Sequence, residues 1–180
     1  VELDKLVIGH LKEIVDAGRE EGVRLAVNLS PGTVSDPGFI DWLCVELERS
    51  PSLASRLIIE LSERGAVDQL DAVRRLAERV GALSVKVSLD HFGRGFAPFG
   101  YLSNLRIDYL KIDGSYIHGI DQDRENQFFV QTLAKIAHGL DIQIIAESVE
   151  TRQEWETLQS LGVDAGQGYW LGDSLCEEAG

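Results

Sequence analysis

The stretch SVKVSLDHFGRGFAPFGYLSNLRIDYLKIDGS, Ser84 to Ser115, decides the reading of this chain of 180 residues. It holds two short β-branched runs, Val85 to Asp90 and Tyr109 to Asp113, each closing in a carboxylate. A connection rich in glycine and aromatic residues joins them. In sheets of parallel strands the ligand sits at the carboxyl ends, so residues that close such runs are where chemistry is sought. Asp90, His91, Lys111 and Asp113 are therefore the first candidates.

Outward from this stretch the same alternation continues in both directions. Upstream, the spacing predicts a helix over Glu2 to Glu21 stopped by Gly22, a buried strand over Leu25 to Leu29, and a helix begun by Asp36-Pro37 with Phe39, Ile40, Leu43, Cys44 and Leu47 inward. Arg56 to Leu61 reads as a second strand and Asp68 to Val80 as a helix stopped by Gly81. Downstream, Asp123 to His138 reads as a helix with Phe128, Phe129, Leu133, Ile136 and Ala137 inward. Ile142 to Glu147 is then a strand, Thr151 to Leu161 a helix with Trp155 inward, and Val163 to Tyr169 a last strand candidate. Strand and helix alternate six times over short connections, the pattern of a parallel sheet covered by helices, which right-handed crossovers can close into a barrel. Six strands are fewer than the eight of a usual βα barrel, so the expectation is one domain, 1–180, of a barrel that lacks its first strands.

Composition narrows the function classes. Acidic residues outnumber basic ones 30 to 17, for a formal charge of -13, which repels duplex DNA or RNA and anionic membranes. An anionic ligand needs local positive groups or a metal. No apolar run reaches the roughly 18 to 20 residues of a spanning helix. Cys44 and Cys176 are far apart and lack CxxC spacing, so reduced thiols in a cytosolic compartment are expected.

Asn28, Glu60, Asp90, Lys111, Glu147 and Gln167 each fall late in successive strands, so in a barrel they converge on one mouth. A charge in a buried strand is costly unless paired or metal-bound. Taken singly, Glu60 or Glu147 is best read as half of a structural ion pair; six polar residues in register are not a packing pattern. Three carboxylates and an amide suit Mg, Mn or Ca. Lys111 then supplies a fixed charge for a phosphate or a metal-bound water, with a Schiff-base role as the rival. His91 reads as a metal ligand, a general base or a loop-top side chain. Arg94, between Gly93 and Gly95, is placed to reach a phosphate or a carboxylate. Phe92, Phe96, Phe99 and Tyr101 are either core or a stacking surface for a base.

The ordered motifs Val27-Asn28-Leu29-Ser30, Glu60-Leu61-Ser62-Glu63, Leu89-Asp90-His91-Phe92-Gly93, Leu110-Lys111-Ile112-Asp113, Ala146-Glu147-Ser148-Val149-Glu150 and Gly166-Gln167-Gly168-Tyr169 resemble those of EAL domains, the phosphodiesterases and receptors of bacterial cyclic di-GMP. The resemblance implies a TIM-like α/β barrel of the EAL type, here without its first two strands. It implies Asn28, Glu60, Asp90 and Glu147 as metal ligands and Lys111 as the residue orienting the attacking water. Glu63 is implied as anchor of the loop after Asp90, with Gln167 and Glu150 in support.

The departures cluster at the metal loop. His91 stands where active members carry a second Asp, the loop Gly93-Arg94-Gly95-Phe96-Ala97-Pro98 departs from Gly-Thr-Gly-Tyr-Ser-Ser, and Ser148 replaces a glycine. This pattern is most similar to the degenerate EAL domains of LapD-type receptors. The implied function is a catalytically inactive cyclic di-GMP receptor domain controlling adhesion and biofilm formation. Asn28, Glu60, Asp90, Arg94, Lys111, Asp113, Glu147 and Gln167 would line its site, with the metal positions vestigial and no cofactor required. The setting implied is the cytoplasmic part of an inner-membrane protein, with neighbouring signalling domains and a homodimer as partners. The rivals are an active phosphodiesterase using Mg or Mn to yield linear pGpG, and a protein-interaction scaffold with no nucleotide.

Overall fold

The computed structural model describes residues 1–18, 22–94 and 99–172, which divide into two compact units. The first comprises residues 1–90 and 95–108, the second residues 91–94 and 109–180. Residues 95–98 and Cys176 lie outside the described residues.

The first unit opens with α1 (Glu2–Asp16), which buries Ile8 and Val15. The helix ends five residues before the expected Glu21, because Gly18 adopts a positive φ of 68° and turns the chain. Next come β1 (Leu25–Asn28), α2 (Pro31–Val34), α3 (Pro37–Arg49), α4 (Pro51–Ala54), β2 (Leu57–Ser62), α5 (Glu63–Asp68), α6 (Leu70–Gly81) and β3 (Lys86–Phe92). The α3 start is chemically explicit: the Asp36 carboxylate accepts from the N–H groups of Gly38 and Phe39, and Pro37, which has no N–H, needs no acceptor at the first position. The inner face of α3 is the one read from spacing, Phe39, Ile40, Leu43, Cys44 and Leu47 all being buried. The helix expected over Asp68 to Val80 is two helices, broken at Gln69. β1, β2 and β3 are parallel neighbours in chain order, with Asn28 beside Glu60, Glu60 beside Ser88, and Ser62 beside Asp90.

The second unit contains β4 (Tyr109–Ile112), α7 (Arg124–His138), β5 (Gln143–Ala146), α8 (Arg152–Ser160) and β6 (Ala165–Gly166). β4 pairs with β5 and β5 with β6, both parallel. Leu110, Ile112, Ile117, Ile120, Val130, Leu133, Ile144, Val149 and Leu158 are fully buried or nearly so, which is the unit's core. Phe128 is a correction: it is 73% exposed rather than inward. The face of α7 that meets the core carries Val130, Leu133, Ala134 and Ala137, and at about 100° per residue Phe128 falls on the other side of the helix. The last strand is two residues long rather than seven, since Gly168 turns the chain against the Val149 backbone. Among the described residues no helix is long and apolar enough to cross a membrane.

Candidate functional site

In the first unit the parallel register of β1 and β2 sets Asn28 and Glu60 side by side, and Asn28 Nδ2 donates to Glu60 Oε2 at 3.2 Å. Asp90 is buried near the end of β3, which continues two residues beyond it. Carboxylate and amide oxygens of this kind are hard donors, the class that holds Mg or Mn. Glu63 opens α5 and is buried; the Tyr101 hydroxyl donates to its Oε1 at 3.2 Å. Burial, then the charge of Glu63, pushes the Tyr101 phenol well above its ordinary range, so it stays a donor. Tyr101 lies in the short helical turn Phe99–Asn104, so Glu63 holds the segment that follows the β3 loop.

The second unit gathers more charge. Lys111, on β4, is buried and Glu147, one residue past β5, is partly buried; Lys111 Nζ lies 3.1 Å from Glu147 Oε1. His91 Nδ1 is 3.2 Å from Glu147 Oε2 and 3.4 Å from Asp113 Oδ2. Arg94 Nε is 2.9 Å from Asp113 Oδ2, so the guanidinium meets a carboxylate. Asp113 follows β4 directly and caps the next turn, accepting from the Ser115 N–H at 3.0 Å. Burial alone would raise its pKa; the Ser115 hydrogen bonds and the Arg94 charge outweigh that and hold the carboxyl below its ordinary range.

Two backbone features shape this cluster. His91 has a φ of 55° and Ser148 a φ of 58°, both in the left-handed region that disfavours side chains with a β carbon. Strain of this kind persists where surrounding contacts over-determine the backbone. For His91 those contacts include the two carboxylates. Gly93, at φ 101°, is held by the Tyr116 hydroxyl donating to its carbonyl at 2.8 Å, and Tyr116 stacks on Phe129 of α7 at 4.3 Å between centroids.

His91, Arg94, Asp113, Gly114, Ser115, His118, Glu147, Ser148 and Glu150 line a cavity of about 350 Å³. That is within the range of small-molecule sites. Its polarity is mixed: three carboxylates face a guanidinium and two imidazoles, with Lys111 behind Glu147.

Of the residues expected to share a site, the second unit brings His91, Arg94, Asp113, Glu147 and Glu150 to one cavity, with Lys111 in contact with Glu147. Gln167 takes part through its backbone, its N–H donating to Ala146 and its carbonyl accepting from Val149, while its exposed side chain is not on the cavity wall. Ser115 and His118 were not legible as site residues: they lie in a loop without periodicity, and only the Asp-Gly-Ser turn signal at Asp113 marks the place.

Parallel βα units with polar residues at the strand ends define an α/β domain of barrel type. The chain belongs to the EAL domain family, whose model matches residues 1–174. It is 29% identical over 171 residues to the cyclic di-GMP phosphodiesterase PdeA of Borreliella burgdorferi, covering 94% of this chain and 26% of that protein. It is 34% identical over 154 residues to the bifunctional diguanylate cyclase/cyclic di-GMP phosphodiesterase MucR of Pseudomonas aeruginosa, covering 86% and 22%. The chain thus spans about a quarter of the length of these relatives. Among solved structures it is similar to the S helix-GGDEF-EAL portion of Vibrio cholerae LapD bound to c-di-GMP, with a TM-score of 0.85 and 27% identity over 94% of this chain and 41% of that one. The fold is therefore the TIM-like α/β fold of EAL domains.

Proposed function

We propose that this chain is a catalytically inactive cyclic di-GMP receptor domain. The observation that carries the reading is at Glu147, whose two oxygens face Lys111 and His91 at 3.1 and 3.2 Å. The protein itself supplies this carboxylate with one cation, Lys111, and with an imidazole partner, so it does not need a metal ion for neutrality. His91, standing where the family's active members carry an Asp, removes one anion from the cavity. Arg94 and His118 add donors for the phosphates. The similarity to LapD in its c-di-GMP-bound form supports the same ligand.

In binding, Arg94 offers the strongest contact, since a guanidinium donates in parallel to two phosphate oxygens. Lys111 pairs with Glu147 at 3.1 Å and holds that carboxylate in place. Ser115 and Ser148 supply small polar walls. The output we propose is control of adhesion and biofilm formation through neighbouring signalling domains of an inner-membrane protein, with this domain in the cytoplasm and a homodimer as its working form.

The alternative is an active phosphodiesterase, favoured by the names of the two curated relatives. It draws on the oxygen donors Asn28, Glu60 and Asp90 of the first unit, and Mg or Mn would supply the activated water. Calorimetry with cyclic di-GMP in EDTA and in Mg, followed by chromatography of the recovered nucleotide, separates the two. The receptor reading expects binding in both buffers and intact ligand. Linear pGpG absent from a protein-free control would establish the enzyme, and no binding in either buffer would favour a scaffold without nucleotide.

A further inference from the structure

We propose that Glu154 is the positioning residue of the second unit's cavity, its carboxylate bridging the two loops that line it. The inference rests on reading that cavity as the nucleotide site.

Glu154 lies in the first turn of α8 and is 2% exposed. Its Oε2 accepts from the N–H groups of Glu150 at 2.9 Å and Thr151 at 3.0 Å, while the Thr151 hydroxyl accepts from the Glu154 N–H at 3.2 Å. This reciprocal pair is a capping box and would suffice to start the helix. Oε1 does something a cap does not require: it accepts at 2.8 Å from the N–H of Gly119, 35 residues earlier in the chain.

Both tethered segments carry cavity residues. Glu150 lines the cavity, and its own N–H is one of the donors; His118, also on the wall, immediately precedes Gly119. His118 Nδ1 lies 3.5 Å from Glu150 Oε2. The same two loops also touch where Ser148 packs on Gly114. The loops are thus joined at two places, by van der Waals contact at Ser148 and by the buried Glu154 carboxylate. Burial would raise the Glu154 pKa, yet the hydrogen bonds from Gly119, Glu150 and Thr151 hold it below its ordinary range. An ionised carboxylate accepts from three N–H groups at once; a carboxamide has one oxygen, and its amino group would face a donor.

The test compares Glu154→Gln and Glu154→Ala with Thr151→Ala, which removes a capping acceptor without touching the Gly119 bridge. All three should lower the thermal midpoint. Cyclic di-GMP affinity should fall about tenfold or more in the two Glu154 variants and stay within about twofold in Thr151→Ala. In ligand-free 15N-1H spectra the Gly119 amide should move upfield in Glu154→Gln and keep its position in Thr151→Ala. Wild-type affinity in Glu154→Gln, or an equal loss in Thr151→Ala, overturns the proposal, because the residue would then be a helix cap and no more. If the wild-type protein does not bind cyclic di-GMP, the nucleotide reading fails separately. An unmoved Gly119 amide in Glu154→Gln would then overturn the bridge.

Discussion

Ser148 fills the space that a side chain at Gly114 would need: a β carbon built on Gly114 would lie 2.8 Å from both Cβ and Oγ of Ser148. Ser148 itself sits at φ 58°, in the left-handed region.

Gly114→Ala should therefore destabilise the protein by about 1 to 3 kcal/mol, the usual range for overpacking. Ser148→Gly should relieve the left-handed strain of about 1 kcal/mol, less the added backbone freedom of the unfolded glycine. The double variant should be more stable than the two single effects sum to, because removing the Ser148 side chain opens room for the methyl group that Gly114→Ala adds. Urea midpoints of the four proteins check this, and strict additivity would show that the two positions are not coupled.

Tyr116 and Gly93 form a second such pair. Tyr116→Phe deletes the hydroxyl that donates to the Gly93 carbonyl and should cost about 0.5 to 1.5 kcal/mol. Gly93→Ala should cost more, since its β carbon would meet the Tyr116 ring at 2.7 Å with a φ of 101°. Thermal melts that rank the two variants in the opposite order would refute the assignment.

Much of the fold was legible in the sequence because burial has a period. The α3 inner face follows it residue by residue, while β3 and β4, which bury consecutive residues, were legible as short apolar, β-branched runs. The same rule misplaced Phe128, which falls on the side of α7 away from the core. It also overran β6, where glycines end a strand that apolar content alone would extend. In the candidate site, the strand-end residues Lys111 and Glu147 were legible because polar groups there break an apolar pattern. Glu154 was half legible: Thr151 and Glu154 spell a capping box, but nothing in the spacing points from Glu154 back to Gly119. His118 and Ser115 act from a loop that carries no period.

Acid should unfold the protein through two buried carboxylates, Asp113 and Glu154, whose ordinary values are 3.8 and 4.5 and whose folded values are lower. A depressed folded pKa adds stability that is fully present above the unfolded value and lost as pH falls through the folded one. Stability should thus be level in this respect above about pH 5.5, one unit clear of 4.5, and decline below about 4.5. Glu154→Gln should be less stable than wild type at neutral pH, with the gap narrowing toward pH 3. Urea midpoints at pH 7, 5 and 3 measure it, and a constant gap would exclude Glu154 from the acid transition.

Arg94→Ala should separate binding from stability. The Arg94 side chain is 69% exposed, and exposed ion pairs contribute roughly 0 to 1 kcal/mol, so its pairing with Asp113 should matter little to the melting temperature. A guanidinium that meets a ligand phosphate matters more: cyclic di-GMP affinity should drop about tenfold or more, with a shallower salt dependence. Unchanged affinity would remove Arg94 from the ligand contacts.

His91→Asp is the sharpest probe of the receptor reading. At φ 55° the position is strained for most side chains, but aspartate visits the left-handed region more readily than other residues with a β carbon, so the backbone should hold. The substitution removes an imidazole lying 3.2 Å from Glu147 and 3.4 Å from Asp113 and puts a third carboxylate beside them. Like charges this close oppose one another and repel an anionic ligand. Cyclic di-GMP should therefore bind the variant at least about tenfold more weakly in EDTA, while Mg or Mn should restore part of the loss by offsetting the added charge. Wild-type protein should bind equally in EDTA and in Mg. Calorimetry in both buffers decides the matter. A variant that binds as well as wild type in EDTA would show that the charge at position 91 does not govern recognition, and a wild-type protein that needs the metal would show that Lys111, His91 and Arg94 do not stand in for one.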